Sequence, residues 1–222
     1  MLNVRADFDA RSKEVDEYFE FVKDILSATS DLIYLNGYGK PSLLTASSDL
    51  QKTLKANGFL LVYNLVESTM KNAIEAIIAH LSAQGVEFDE LTKELKVVIL
   101  KNAKKWNAEK LEPELSKIGQ HIIQKTFRKE ELFSGNVDAR EIRETLLAYG
   151  VKVNHSVIGN SLLTIKTKRN DLAHGTISFS ECGKDYDIAD LIKFKDEAQD
   201  YLKATLNDIQ HFLSTAGYKP PV

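Results

Sequence analysis

Phe59-Leu60-Leu61-Val62-Tyr63-Asn64-Leu65-Val66 is the most apolar run of the chain. A half-exposed helix would carry polar residues every three or four positions, and a surface strand would alternate. This run does neither, which is how a helix buried on nearly all sides reads. The pattern around it extends a helix from about Leu50 to Ser82, opened by Ser48 or Asp49 as cap, and puts that helix at the centre of the core. Within it Asn64 and Glu67 are three apart and share a face. A carboxylate there either finds a hydrogen-bonded or charged partner, for which Arg169 is one candidate, or sits at the edge of the core and reaches water. The run is broken by Asn64 and followed by Glu67, well short of the ~20 apolar residues a spanning helix needs, so no membrane segment is expected.

Outward from this helix the same logic gives an all-α protein. Phe8, Val15, Phe19, Val22 and Leu26 recur at helical spacing between Val4 and about Thr29. Asn36 to Ser42 breaks the pattern with turn chemistry. Its likeness to a phosphate-binding loop fails, because Tyr34 and Pro41 stand where glycine and Ser or Thr are required. A third helix is expected over Leu91 to about Asn107, an irregular helical region over Pro113 to Phe133, and a capped helix from Val137 to Tyr149 stopping at Gly150. These form a helical insertion over about 91–150. Asn160 or Ser161 caps the next helix, which ends at Gly175. Thr176 to Ile188, with a Gly183-Lys184 turn, reads as a short hairpin or ordered loop, and about Ile188 to Ser214 as a long final helix. No repeat or linker divides residues 1–222, so one helical domain is expected.

Composition narrows the chemistry. With 43% apolar residues, four prolines and eleven glycines, the 222-residue chain suits a helical globular domain. Its single cysteine, Cys182, cannot form an intrachain disulfide, and its first residues lack a signal-type apolar stretch, which points to the cytoplasm. A net charge of −3 gives no overall attraction to nucleic acid, so a site for it would need local positive charge. Two clusters offer it: Lys101, Lys104 and Lys105 beside Trp106, and Lys166, Lys168 and Arg169.

The second cluster runs into Arg169-Asn170-Asp171-Leu172-Ala173-His174-Gly175. Arginine is a permanent forked cation suited to phosphate, and histidine, with an ordinary pKa of about 6.5, moves protons near neutrality. Six arginines and five histidines would produce this spacing by chance roughly 0.14 times per chain, so context must add weight. Five residues on a helix turn through about 140°, so Arg169 and His174 would converge only at the helix end or across a second subunit. Asn170 and His174, four apart, share a face, so Asn170 could orient the imidazole or bind phosphate, and Asp171 could cap or pair locally.

Here the chain resembles the HEPN superfamily, whose signature is an arginine, a polar residue, a short spacer and a histidine. Arg169-Asn170 and His174 fit it; Val4 to Arg11, Tyr63 to Thr69, and Ile165 to Lys168 are similar to stand-alone bacterial members linked to phage defence. The resemblance implies a HEPN-like helical bundle and a metal-independent endoribonuclease, needing no cofactor, that acts as a toxin or defence effector. It implies Arg169 and His174 as catalytic residues, Asn170, Asp171, Glu67 and Asn64 as support, and Lys166 and Lys168 as RNA contacts. It also implies a homodimer with a composite site and an antitoxin or defence-system partner. The 2′-hydroxyl of RNA would attack, giving a 2′,3′-cyclic phosphate and excluding DNA. Thr176 stands where some members carry a modifiable tyrosine, with Tyr186 farther along. The alternative is a catalytically silent HEPN-like module that binds RNA, a nucleotide or a protein. A thiol hydrolase based on Cys182 lacks a base beside it, and His80, His121, His155, His174 and His211 show no paired metal-ligand spacing.

Overall fold

The computed structural model describes residues 1–27, 32–35, 37–44, 46–104, 122–124 and 126–220. Its helices are α1 (Leu2–Leu26), α2 (Ser48–Ala83), α3 (Lys93–Ala103), α4 (Ala139–Ala148), α5 (Asn160–Ala173), α6 (Phe179–Lys184) and α7 (Ile188–Ser214). The strands β1 (Leu32–Leu35) and β2 (Pro41–Leu44) pair antiparallel as one small hairpin, with Leu32 opposite Leu44 and Leu35 opposite Pro41. The fold class is all-α, as the helical periodicities require. Among the described residues no helix is long and apolar enough to cross a membrane.

The 36-residue α2 buries Ala56, Phe59, Val62, Tyr63, Leu65, Val66, Met70, Ala73, Ile74, Ile77 and Leu81, so its apolar run is core as expected. Its cap lies one residue earlier than the sequence suggests: the Ser47 hydroxyl accepts the Leu50 N–H at 3.2 Å. The stripe of α1 is also as read, with Phe8, Val15, Phe19 and Val22 buried, although the helix stops at Leu26, where Ser27 donates its hydroxyl to the Asp24 carbonyl. Lys105, Trp106 and, of the irregular region expected over Pro113 to Phe133, residues 113–121 and 125 lie outside the described residues.

Two compact units can be distinguished. One comprises Met1–Ala6, Glu67–Ile158 and Asp200–Val222. In it α3 packs on α4, whose Asp138 cap accepts the Glu141 N–H at 3.0 Å and whose Ile142 and Leu146 are buried. Lys129 reaches Asn72 at 2.6 Å and Glu75 at 2.7 Å. The segment after α4 is tied to α7 through His155. Its Nε2 lies 3.1 Å from the Thr205 hydroxyl, which itself donates to the Tyr201 carbonyl at 2.8 Å. The hydroxyl therefore accepts from the ring, which places a hydrogen on Nε2. Burial pushes the His155 pKa below its ordinary value, helped by Arg143 and opposed by Asp208 and the Val157 backbone.

That shift has a direct consequence for stability. The unfolded chain takes up a proton near pH 6.5 that the folded His155 refuses, so the contribution is complete above that pH and is lost as pH falls from there through the lower folded pKa. Urea unfolding midpoints should therefore decline as pH falls below about 6.5. His155→Gln should show a shallower decline; an identical slope in the variant would remove His155 as the cause.

The other unit comprises Asp7–Val66 and Gly159–Gln199. Lys195, on α7, pairs with Asp16 of α1 at 2.5 Å, and Gln199 donates to the same carboxylate at 3.0 Å. Tyr186 meets Phe59 and Phe194 edge-to-face, at centroid distances of 5.0 and 5.8 Å, and the two phenylalanines lie tilted against each other. One expectation is corrected here. The segment after the motif helix holds α6, not a hairpin or loop, because Ser178 and Glu181 build a reciprocal capping box that starts a helix. The fold's hairpin lies between α1 and α2.

Candidate functional site

Helix α5 carries the Arg169–His174 sequence, and both of its ends are held. Neither Asn160 nor Ser161 caps it; Gly159 occupies that position without a side-chain bond. Glu197 from α7 takes over, accepting the Ser161 N–H at 3.1 Å and the Ser161 hydroxyl on its other oxygen. A carboxylate at a helix N-terminus satisfies otherwise orphaned donors and complements the helix dipole. At the other end Gly175 N–H bonds the Leu172 carbonyl and Thr176 N–H the Asp171 carbonyl, closing the helix in a Schellman turn. The turn needs Gly175 at φ 66°, a conformation that favours glycine. His174 is thereby fixed as the C-cap residue, exposed, at the point where the chain leaves the helix.

Leu162, Ile165 and Leu172 are the buried apolar stripe of α5, and Arg169 occupies the position between Ile165 and Leu172 on that same face. A guanidinium on a core-facing stripe requires partners. It has them: its carbon lies 4.4 Å from the centroid of the Tyr63 ring, and its Nη1 donates to Asn170 Oδ1 at 2.9 Å. Asn170 thus serves Arg169. Lys168, its neighbour, lies 5.7 Å from the Tyr186 ring centroid. Tyr186 in turn is held by the Phe59 and Phe194 rings and by Lys55, which donates to the Tyr186 carbonyl at 2.6 Å.

The remaining expected residues fall as follows. Lys166 and Asp171 are half-buried on α5, and Asn64 is exposed on α2. Glu67 is half-buried and pairs with Lys71 one turn along its own helix at 2.9 Å, which supplies the cationic partner its surroundings call for. Lys101 and Lys104 are described, with Lys104 capping α3, whereas Lys105 and Trp106 are outside the described residues. Cys182 is buried within α6, and burial pushes its thiol pKa up, with Lys168 opposing and Asp185 and Asp171 adding to the shift. A thiol so protonated is a poor nucleophile. Among the described residues no three His, Cys, Asp or Glu side chains gather as a metal-ligating group.

Sequence reasoning missed the roles of Tyr63, Glu197 and Lys55. One signal was available: Arg169 completes the stripe of Leu162, Ile165 and Leu172, so its side chain had to meet the core and find an aromatic or polar partner.

An arginine held on an aromatic face and an exposed histidine at the end of the same helix, in an all-α fold, define a helical protein with an arginine–histidine site. A HEPN family model matches residues 3–218, nearly the whole chain, and the chain belongs to that family. No curated protein and no solved structure matches it.

Proposed function

We propose that this HEPN protein is a metal-independent endoribonuclease. The observation that carries the reading is the end of α5, where Arg169 is fixed by Tyr63 and Asn170 and His174 is exposed at the C-cap five residues on. Arg169 would bind the scissile phosphate and offset the charge that develops on it, and His174 would transfer the proton to or from the ribose 2′-hydroxyl or the leaving oxygen. The 2′-hydroxyl is the nucleophile. The products are a 2′,3′-cyclic phosphate and a free 5′-hydroxyl, and DNA is spared. Lys166 and Lys168 supply local positive charge beside the motif on a chain whose net charge is −3.

Further parts of the proposal rest on family membership. Two copies of α5 meet in a homodimer to complete the site, residues 1–222 act as one HEPN domain with about 91–150 as a helical insertion, and the protein serves as a cytoplasmic toxin or effector in phage defence, controlled by an antitoxin or defence partner. Asp171, Asn64 and Glu67 are supporting residues in this proposal.

The test is digestion of total RNA and of matched single-stranded DNA by the purified protein with excess chelator present, followed by identification of the fragment ends. Cleavage of RNA alone, leaving cyclic phosphates, is the expected result. Intact RNA that nonetheless binds the protein would replace the enzyme with a binding module.

A further inference from the structure

We propose that Tyr63 is the positioning residue of Arg169: the face of its buried ring holds the guanidinium plane in the orientation in which it meets phosphate. The inference rests on the ribonuclease reading and adds to it the group that aims the cation. Tyr63 is only 2% exposed and sits between the buried Val62 and Leu65 and Val66 on α2, so its ring has little room to swing. Arg169 approaches it at 4.4 Å, a distance at which a planar cation lies in van der Waals contact with an aromatic face. Contact with the ring face limits how far the guanidinium can move. The 2.9 Å bond from Nη1 to Asn170 restrains its rotation within that plane.

The arrangement matters because a flexible arginine would have to be ordered at the moment of reaction. Held in advance, it adds little reorganisation to the barrier, whereas a displacement of about 1 Å can cost on the order of a hundredfold in rate. Lys168 on the Tyr186 ring repeats the device one residue earlier, more loosely at 5.7 Å. Two successive cations of α5 thus each rest on a tyrosine that the fold itself immobilises.

The experiment pairs kinetics with a spectroscopic reading that needs no activity. Tyr63→Phe keeps the ring face and Tyr63→Leu removes it. In single-turnover RNA cleavage, Tyr63→Phe should stay within about twofold of wild type, and Tyr63→Leu should fall at least about tenfold with RNA affinity changed by less than about twofold. Adding Arg169→Ala to Tyr63→Leu should cost less than it does in wild type, since the two act as a unit. By NMR, the Arg169 Hε resonance, assigned from Arg169→Lys, should lie upfield of those of Arg5 and Arg11 through the ring current, in wild type and Tyr63→Phe alike. Losses that multiply, a Tyr63→Phe rate as low as that of Tyr63→Leu, or an Arg169 Hε at the position of Arg5 and Arg11 would each overturn the proposal. The wild-type spectrum decides the matter even if Tyr63→Leu does not fold. If wild type leaves RNA intact, the ribonuclease reading fails, and the resonance still shows whether Tyr63 holds Arg169.

Discussion

On the ribonuclease reading, His174→Ala should lower the single-turnover rate of RNA cleavage by about two to four orders of magnitude, the range in which a positioned proton-transfer group contributes. Arg169→Ala should lower it by about two to three, comparable to removal of one preorganised donor to a developing anion. The two differ in what they do to the fold. His174 is exposed at a helix end, so its truncation should leave thermal stability within about 0.5 kcal/mol. Arg169 lies against the buried Tyr63 ring, so its truncation also removes packing and should lower the melting temperature measurably. Arg169→Lys separates charge from shape: a lysine keeps the cation without the planar fork, and should recover binding better than it recovers rate. The measurement is quenched single-turnover digestion of end-labelled RNA beside a thermal melt of each variant. A His174→Ala protein that cuts at the wild-type rate removes histidine from the chemistry, whatever Arg169 does.

Gly183→Ala lowers stability by about 3 kcal/mol, which for a chain of this length is roughly 6–12 °C in melting temperature. Its cause is steric. A Cβ at position 183 would stand 1.9 Å from the Lys52 carbonyl oxygen and 2.6 Å from the carbonyl carbon, and both are backbone of α2. Neither can swing aside, so α6 must lift from α2. The hydrogen bonds from Lys55 to the Tyr186 carbonyl and from Ser180 to Asp49 weaken with it. Cys182, fully buried beside Gly183, reports the event: its reaction with a thiol reagent under native conditions should accelerate at least about tenfold in the variant. Lys184→Ala, an exposed change on the same helix, is the control and should alter neither quantity. An unchanged melting temperature and a still-protected thiol in Gly183→Ala would show that α6 tolerates the added methyl.

The two variants mark where the chain is readable and where it is not. Long elements announce themselves: the buried run from Phe59 to Val66, the stripe from Phe8 to Val22, and the final helix through Leu191, Tyr201 and Leu213 each repeat the helical period often enough to be recognised. Helix α4, with its Asp138 cap and Gly150 stop, is marked by local chemistry at both ends. The six-residue α6 is too short to show a period, and Gly183 inside it reads as a turn. Only the approach of the Lys52 carbonyl explains why a residue unfavourable in helices stands there.

The arginine–histidine site divides along the same line. Sequence alone determined the all-α class, the burial of α2 and the resemblance to HEPN proteins that the family match over residues 3–218 bears out, and it singled out Arg169, Asn170 and His174 as candidates. Those properties depend on local periodicity, helix-end chemistry and residue type, all of which are written in neighbouring positions. Tertiary structure alone decided that Arg169 rests on Tyr63 and that Glu197 caps α5. Each of these joins residues far apart in the chain, and a polar side chain's partner is chosen by which surfaces packing brings within a few ångströms, a selection that spacing along the sequence does not encode.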